Sequence, residues 1–262
     1  MPQMIILPEV ILVFILGAIV GSFLNVAIFR LPEPGQSIVF PASHCPKCKT
    51  PLKWYDNIPI FSFLFLKGSC RYCHESISWQ YPTVEACMGL LAIGLKLKFG
   101  WLLFAFYFIF SASLLVIIVV DFRHQIIPDV ISIPGILIGF AFSFMNPYLQ
   151  WSDAGLGILI GGGSFYLLAL VYFLLTKRMG MGGGDIKLLA MIGAFLGWQS
   201  LPFVIFSSSL FGTIIGIGAM IKQKKGGKTV IPYGPFLAIS ALLYLFFDMH
   251  IQLFLHKLVF PS

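Results

Sequence analysis

Charge is what this 262-residue sequence has least of: charged residues make up 10% of it, with only 10 acids, where a soluble globular domain is nearer a quarter charged. That deficit excludes an ordinary soluble fold, and a mean hydropathy of +0.94 points to a membrane protein. Other absences narrow the chemistry. No H-E-x-x-H run occurs, which argues against a zinc metalloprotease. No Rossmann-type glycine signature follows a strand, so a nucleotide-like donor site cannot be placed. Met1 to Val10 contain no Lys or Arg, and the first apolar run ends in "GSFLNVAIFRLP" rather than a small-residue cleavage site. That run therefore reads as a retained helix and not a signal peptide.

What is present is a series of long apolar runs. A span needs about 20 mostly apolar residues. Candidates lie near 5–29, 82–99, 101–120, 126–146, 154–176, 186–202, 203–221 and 231–256, an all-α polytopic membrane fold of about eight helices. The break between the sixth and seventh rests on Gly197-Trp198-Gln199-Ser200-Leu201-Pro202 alone. The implied organisation is a first helix over 1–30, a polar loop domain over 31–81 and a membrane domain over 82–262.

The net charge of +7 is distributed by topology. With the N-terminus outside, the inward segments hold Arg30, Lys47, Lys49, Lys53, Lys67, Arg71, Arg123, Lys177, Arg178, Lys187, Lys222, Lys224, Lys225 and Lys228. Only Lys96, Lys98 and Lys257 of the 17 basic residues face out. That asymmetry follows the positive-inside rule and calls for no nucleic-acid partner. The sequence is silent on oligomeric state.

The loop carries "HCPKCKT" and "GSCRYCHES", two C-x2-C pairs at Cys45, Cys48 and Cys70, Cys73 with 21 residues between them. Four thiolates suit a closed tetrahedral zinc site, and the form matches metal knuckles, although the spacing slightly exceeds their usual range. Disulfides or a redox pair are the other readings. A cytoplasmic loop disfavours disulfides, and a loop this short lacks the βαβ context of a thioredoxin-like motif. A closed site leaves no position for water, so the metal would fold the loop and not catalyse. His44 and His74 flank the cysteines, but four thiolates already fill the sphere. Cys87, within a span, reads as a small buried apolar residue.

With so few acids, each one near the membrane can be weighed. Glu9, Asp153 and Asp248 fall near outer span ends, and Glu33, Asp56 and Glu75 belong to the loop. Asp129, after Pro128, reads as the cap of the fourth span. Asp121 ends the inward run "SASLLVIIVVD", and Asp185 follows Gly182, Gly183 and Gly184 at the start of another span. Both carboxylates therefore fall at the same inner face. As a pair, two close carboxylates would share one proton and activate water against a peptide carbonyl, with no covalent intermediate. The plainer readings are a helix cap for Asp185 and an Asp121–Arg123 pair at the interface. A run of three glycines suggests a mobile or tightly packed turn, or room for an extended peptide beside the acid. Glu85, near the inner end of the second span, either meets a substrate cation or pairs with a neighbouring Arg or Lys.

Taken together, "GSFLNVAIFRLP", the two C-x-x-C pairs, "DFRHQIIPD" and "GGGDIKLLAMIGAFLGW", in this order, resemble the bacterial type IV prepilin leader peptidases, which are also N-methyltransferases. The resemblance covers nearly the whole chain. It implies an aspartic peptidase of the G-x-G-D type with Asp121 and Asp185 catalytic. Its substrates would be type IV prepilins and pseudopilins, whose basic leader is cut after a glycine at the cytoplasmic face of the inner membrane. The new N-terminal residue, commonly Phe, would then be methylated with S-adenosylmethionine, and the cysteine loop would bind zinc. Glu85, Gly182, Gly183 and Gly184 are candidates for substrate contact, and Gly21, Ser22, Asn25 and Arg30 for the methyl donor. Asn25, polar within an apolar span, has a simpler use in bonding another helix. A proton- or ion-coupled transporter using the same acids is the alternative. Against it stand the missing internal repeat and the clustering of the acids at one face.

Overall fold

The computed structural model describes residues 7–33, 35–178, 180–223 and 231–259. Among them the chain is helical, in nine α-helices with no strand. They are α1 (Leu7–Arg30), α2 (Phe61–Phe65), α3 (Gln80–Lys98), α4 (Trp101–His124), α5 (Asp129–Ser143), α6 (Trp151–Thr176), α7 (Gly183–Leu196), α8 (Leu201–Gln223) and α9 (Gly234–Val259). The chain divides into two compact units, Met1–Val116 and Ile117–Ser262, with the boundary inside α4.

All eight expected segments are helices, but they are not eight equivalent spans. Five helices among the described residues are long and apolar enough to cross a bilayer, so the protein is multi-pass. The two shorter ones, α5 with 15 residues and α7 with 14, rise about 21–23 Å against a hydrocarbon core of about 30 Å. The third, α3, carries Glu85, Lys96 and Lys98, which lower its apolarity. The expected break after the sixth segment is real. Gly197 adopts φ +77, a left-handed conformation open to glycine, and a 3₁₀ turn over Trp198–Ser200 leads into α8. Lys224, Lys225 and Lys228, and the side chains of Lys222 and Lys257, lie outside the described residues.

In the first unit α1 packs on α3 through glycine. A Cβ on Gly21 would lie 2.7 Å from the Glu85 Cα, and one on Gly17 2.7 Å from the Gly89 Cα. Such close backbone approach is how helices associate in lipid, where apolar side chains gain little by leaving it. At the far end Lys96, buried, pairs with Glu9 at 3.1 Å and lies 4.7 Å from the centre of the Trp101 ring.

In the second unit α7 is the central rod. Leu188, Leu189, Met191, Ile192 and Phe195 are all fully buried. A helix apolar all round is one surrounded by protein, which explains how α7 can be shorter than the bilayer. Gly157 of α6 and Gly193 of α7 meet backbone to backbone, and a Cβ on Gly161 would lie 2.7 Å from the Leu189 carbonyl oxygen. On the other side a Cβ on Gly139 of α5 would lie 2.7 Å from the Phe195 ring.

This packing predicts that Gly193→Val destabilises the protein by about 1–3 kcal/mol or more through overpacking. Gly163→Ala, where an added Cβ would meet nothing within 4 Å, should be neutral or stabilising by up to about 1 kcal/mol. Unfolding of both variants in detergent measures the difference.

Candidate active site and metal centre

The ends of three helices in the second unit build the first site. Asp121 sits in the last turn of α4 and is 5% exposed. Its Oδ2 accepts the backbone N–H of Gly234 at 3.0 Å, and Gly234 is the first residue of α9. A carboxylate at the positive end of a helix dipole is stabilised by both the hydrogen bond and the field. A side chain on Gly234 would destroy the contact, since its Cβ would lie 2.7 Å from that same oxygen.

After α4 the chain turns at Gln125, φ +56, and Ile127 enters between the starts of α7 and α9. A Cβ on Gly184 would lie 2.9 Å from the Ile127 Cβ, and one on Gly234 2.9 Å from the Ile127 Cδ1. Gly184 precedes Asp185, and Gly234 holds Asp121. The starts of α7 and α9 thus converge on one isoleucine.

Asp185 is not the cap of its helix. Gly182 occupies the N-cap of α7, and Asp185 is the third helical residue. None of the three glycines has positive φ; Gly182 is extended, at φ −76 and ψ 146. Their use is spatial. Gly182 and Gly183 are exposed, and a Cβ on Gly183 would touch nothing within 4 Å, so the backbone beside Asp185 is open. Gly184 is required by the approach of Ile127. Lys187 donates to both oxygens of Asp129 at 2.7 Å, joining the starts of α5 and α7.

The sequence reading missed the segment ahead of α9, "IPYGPF" from Ile231 to Phe236. Two prolines bracketing Tyr-Gly before an apolar run were the available signal. The Tyr233 hydroxyl bonds the hydroxyls of Ser208 at 2.7 Å and Ser209 at 3.0 Å, pinning this segment to α8. Beside it opens a cavity of about 440 Å³, lined by Ser209, Thr213, Met220, Tyr233 and Phe236 among others.

In the first unit the four cysteines come together. The sulfurs of Cys45, Cys48, Cys70 and Cys73 all lie within 4.8 Å of one another, and all four are free thiols. The two pairs are built alike. Cys45 N–H bonds the Thr50 carbonyl at 3.0 Å and Lys49 N–H returns to the Cys45 carbonyl at 2.9 Å. Cys70 repeats this with Glu75 at 2.8 Å and His74 at 3.0 Å. Lys49 and His74 both take φ +57 to close their knuckles. His44 turns its Nδ1 to the Ala42 carbonyl at 3.2 Å, a local contact within the loop. Lys47 pairs with Glu75 across the two knuckles, and Arg71 pairs with Asp56 at 2.8 Å.

The sulfurs fit a tetrahedral metal. A Zn–S bond of about 2.3 Å implies sulfur pairs about 3.8 Å apart, the distance found between Cys45 and Cys73, 3.8 Å. Without a dication they cannot all ionise. Hydrogen bonds from Thr50 draw Cys48 down to about 6, and backbone bonds from Cys73 and Tyr72 lower Cys70. Cys73, despite a backbone bond from Glu75 that favours its thiolate, is pushed up to about 11 by burial and the neighbouring sulfurs. Four thiolates at such separations require the positive charge of a bound metal.

The remaining candidates all have protein partners. Glu85, buried, accepts the Ile60 N–H at 2.7 Å, a backbone group and not the neighbouring cation considered from sequence, and Ser22 hydrogen-bonds to it as well. Asn25 donates to the carbonyls of Gly21 at 3.3 Å and Tyr81 at 3.2 Å, and accepts from Gln80 at 3.3 Å. Arg30 donates to the carbonyls of Ser37 at 2.9 Å and Pro41 at 2.7 Å. With Gly21 at the α3 crossing, these four α1 residues make helix and loop contacts.

Residues 15–99 match the Bacterial Peptidase A24 N-terminal domain, and residues 108–217 match the Type IV leader peptidase family. The chain is thus a polytopic helical membrane protein of a bacterial class that joins a cysteine-bearing N-terminal domain to a membrane domain. It belongs to the type IV leader peptidase family. A relative in Aeromonas hydrophila is 36% identical over 259 residues, covering 89% of each chain. One in Pseudomonas aeruginosa is 35% identical over 260 residues, covering 90% of this chain and 89% of its own, and one in Neisseria gonorrhoeae is 36% identical over 250 residues, covering 86% of each. All three are named prepilin leader peptidase/N-methyltransferase. No solved structure matches the chain.

The four-cysteine geometry predicts that Cys45→Ser loses its bound metal, measured by elemental analysis of the purified protein. Full metal retention would remove Cys45 from the ligand set.

Proposed function

We propose that this protein cuts the basic leader from type IV prepilins and pseudopilins and then methylates the new N-terminal residue with S-adenosylmethionine. The reading rests on family membership and on one geometric observation: the starts of α7 and α9 converge on Ile127, and the α9 start, through the Gly234 N–H, holds Asp121. Both acids lie where apolar helices end, at the depth where a substrate with a basic head and an apolar helix presents its junction. With the N-terminus outside, that face and the cysteine loop domain of 31–81 are cytoplasmic by the positive-inside rule.

In this proposal Asp121 and Asp185 share one proton. Asp121, receiving the Gly234 N–H, is the ionised member and takes a proton from water as its oxygen attacks the scissile carbonyl carbon. Asp185 gives its proton to the carbonyl oxygen. Collapse of the tetrahedral intermediate breaks the C–N bond: the leaving amine takes the proton from Asp121, and a hydroxyl of the intermediate returns its proton to Asp185, restoring the shared-proton pair. The open backbone at Gly182 and Gly183 lets an extended peptide lie beside Asp185. Cys45, Cys48, Cys70 and Cys73 would hold the zinc, which would supply a structural cross-link to the loop. Glu85 serves as an anchor for Ile60, not as a contact for the substrate. Gly21, Ser22, Asn25 and Arg30 assemble α1, α3 and the loop, and no methylation step is assigned to them.

Co-expression with a prepilin tests the acid pair. Asp121→Asn and Asp185→Asn should each abolish leader removal while the protein remains inserted and metal-loaded; substantial processing by either variant overturns the assignment. Gly234→Ala should lower cleavage by on the order of a hundredfold, the scale of an ångström-level misplacement. Unchanged processing in that variant would show that the Gly234 contact does not orient Asp121.

A further inference from the structure

The loop of the first unit presents a strongly apolar edge that neither the metal nor the acid pair uses. In α2, "FSFLF", Phe63 is buried against Gly68 and the Trp79 ring, whose centre lies 4.9 Å from its own. The other large residues point away from the protein: Phe61 is 72% exposed, Leu64 61% and Phe65 81%. Trp54, 79% exposed, and Trp79, 72% exposed, belong to the same loop, and Lys53 and Lys67 flank it. Apolar exposure on this scale requires an occupant.

The depth of α2 identifies that occupant. Ile60, immediately before α2, takes φ +64, rare for a β-branched residue, and turns its N–H to the Glu85 carboxylate at 2.7 Å. Glu85 is five residues inside α3, whose first residue is Gln80, or about 7 Å along the helix toward the membrane interior. It lies level with Gly21 of α1, nine residues short of Arg30, about 13 Å below that helix end. The start of α2 is therefore tied beneath the exits of both helices and not out in the loop beyond them. An amphipathic element with Trp and Phe on its free face and Lys at its margins, held at that level, fits the boundary between headgroups and acyl chains.

We propose that α2, with Trp54 and Trp79, lies in the bilayer interface of the leaflet where α1 ends and α3 begins, its free face on phospholipid acyl chains and Lys53 and Lys67 toward anionic headgroups. It anchors the metal knuckles to the membrane surface at a fixed height. The inference is independent of the peptidase reading.

The test uses the full-length, metal-loaded protein in nanodiscs of phosphatidylethanolamine and phosphatidylglycerol. Photoreactive p-benzoylphenylalanine replaces Phe61, Leu64 or Phe65 in separate variants. Leu12, 64% exposed on α1, is the lipid-facing control, and Glu75, in the knuckle, the aqueous one. Lipid adducts at two or more of the three positions should match the Leu12 yield and exceed the Glu75 yield by about tenfold. Yields no higher than at Glu75, or adducts to a second copy or another protein in place of lipid, would overturn the proposal.

Discussion

Helices surrounded by lipid gain little by burying oil against one another, so their association depends on close backbones and on polar groups satisfied inside the protein. In the second unit this constraint acts at Gly157 and Gly193, where α6 and α7 meet with no side chain between them. α7 is too short to reach both faces by its own length, and its depth is set by that contact and by the α5 glycines. The position of Asp185 is thus inherited from residues two turns away that bear no chemistry.

The same constraint governs the polar side chains of the apolar helices. Asp121 takes a backbone N–H at the start of α9, Glu85 takes one at Ile60, and Asn25 donates to the carbonyl of Tyr81. The two carboxylates each engage an N–H at a helix start, a group with no helical partner that would be most costly to leave alone in a dry environment. Identical chemistry leads to different roles. The contact of Glu85 holds a strained turn in place. The carboxylate of Asp121, held the same way, fixes the start of α9, which meets the start of α7 at Ile127.

Chemistry-bearing residue types were legible in the sequence because a chain this poor in charge makes each acid conspicuous, and because two C-x2-C pairs have few uses. The helix break at Gly197 was legible for a similar reason, a turn of small and polar residues between apolar runs. Partners were not. Nothing in "IPYGPF" states that the amide of Gly234 will meet Asp121, more than a hundred residues earlier. The likeness of the two knuckles was present as C-x-x-C-Lys and C-x-x-C-His, yet it emerges only through matching hydrogen bonds at Lys49 and His74. Arg30, Asn25 and Gly21 were eligible for a ligand because polar and small residues in a span suggest function; tertiary packing assigned them to α3 and the loop. Span number was less legible: five helices among the described residues meet the length and hydropathy of a span, and periodicity does not distinguish a helix in lipid from one enclosed by protein.

The triple glycine shows how packing separates residues that look equivalent in sequence. Each glycine at a helix start sacrifices up to about 1 kcal/mol of helix propensity relative to alanine, so three in a row call for a reason at each position. At Gly184 the reason is steric: Ile127 occupies the place of a side chain. At Gly182 it is weak, since glycine is a tolerable N-cap that gives up only a few tenths of a kcal/mol to Asp or Ser. At Gly183 no neighbour, no positive φ and no cap explains the choice. A position where the fold accepts a side chain and the sequence has none is one where clearance itself is the property kept, and here that clearance adjoins Asp185.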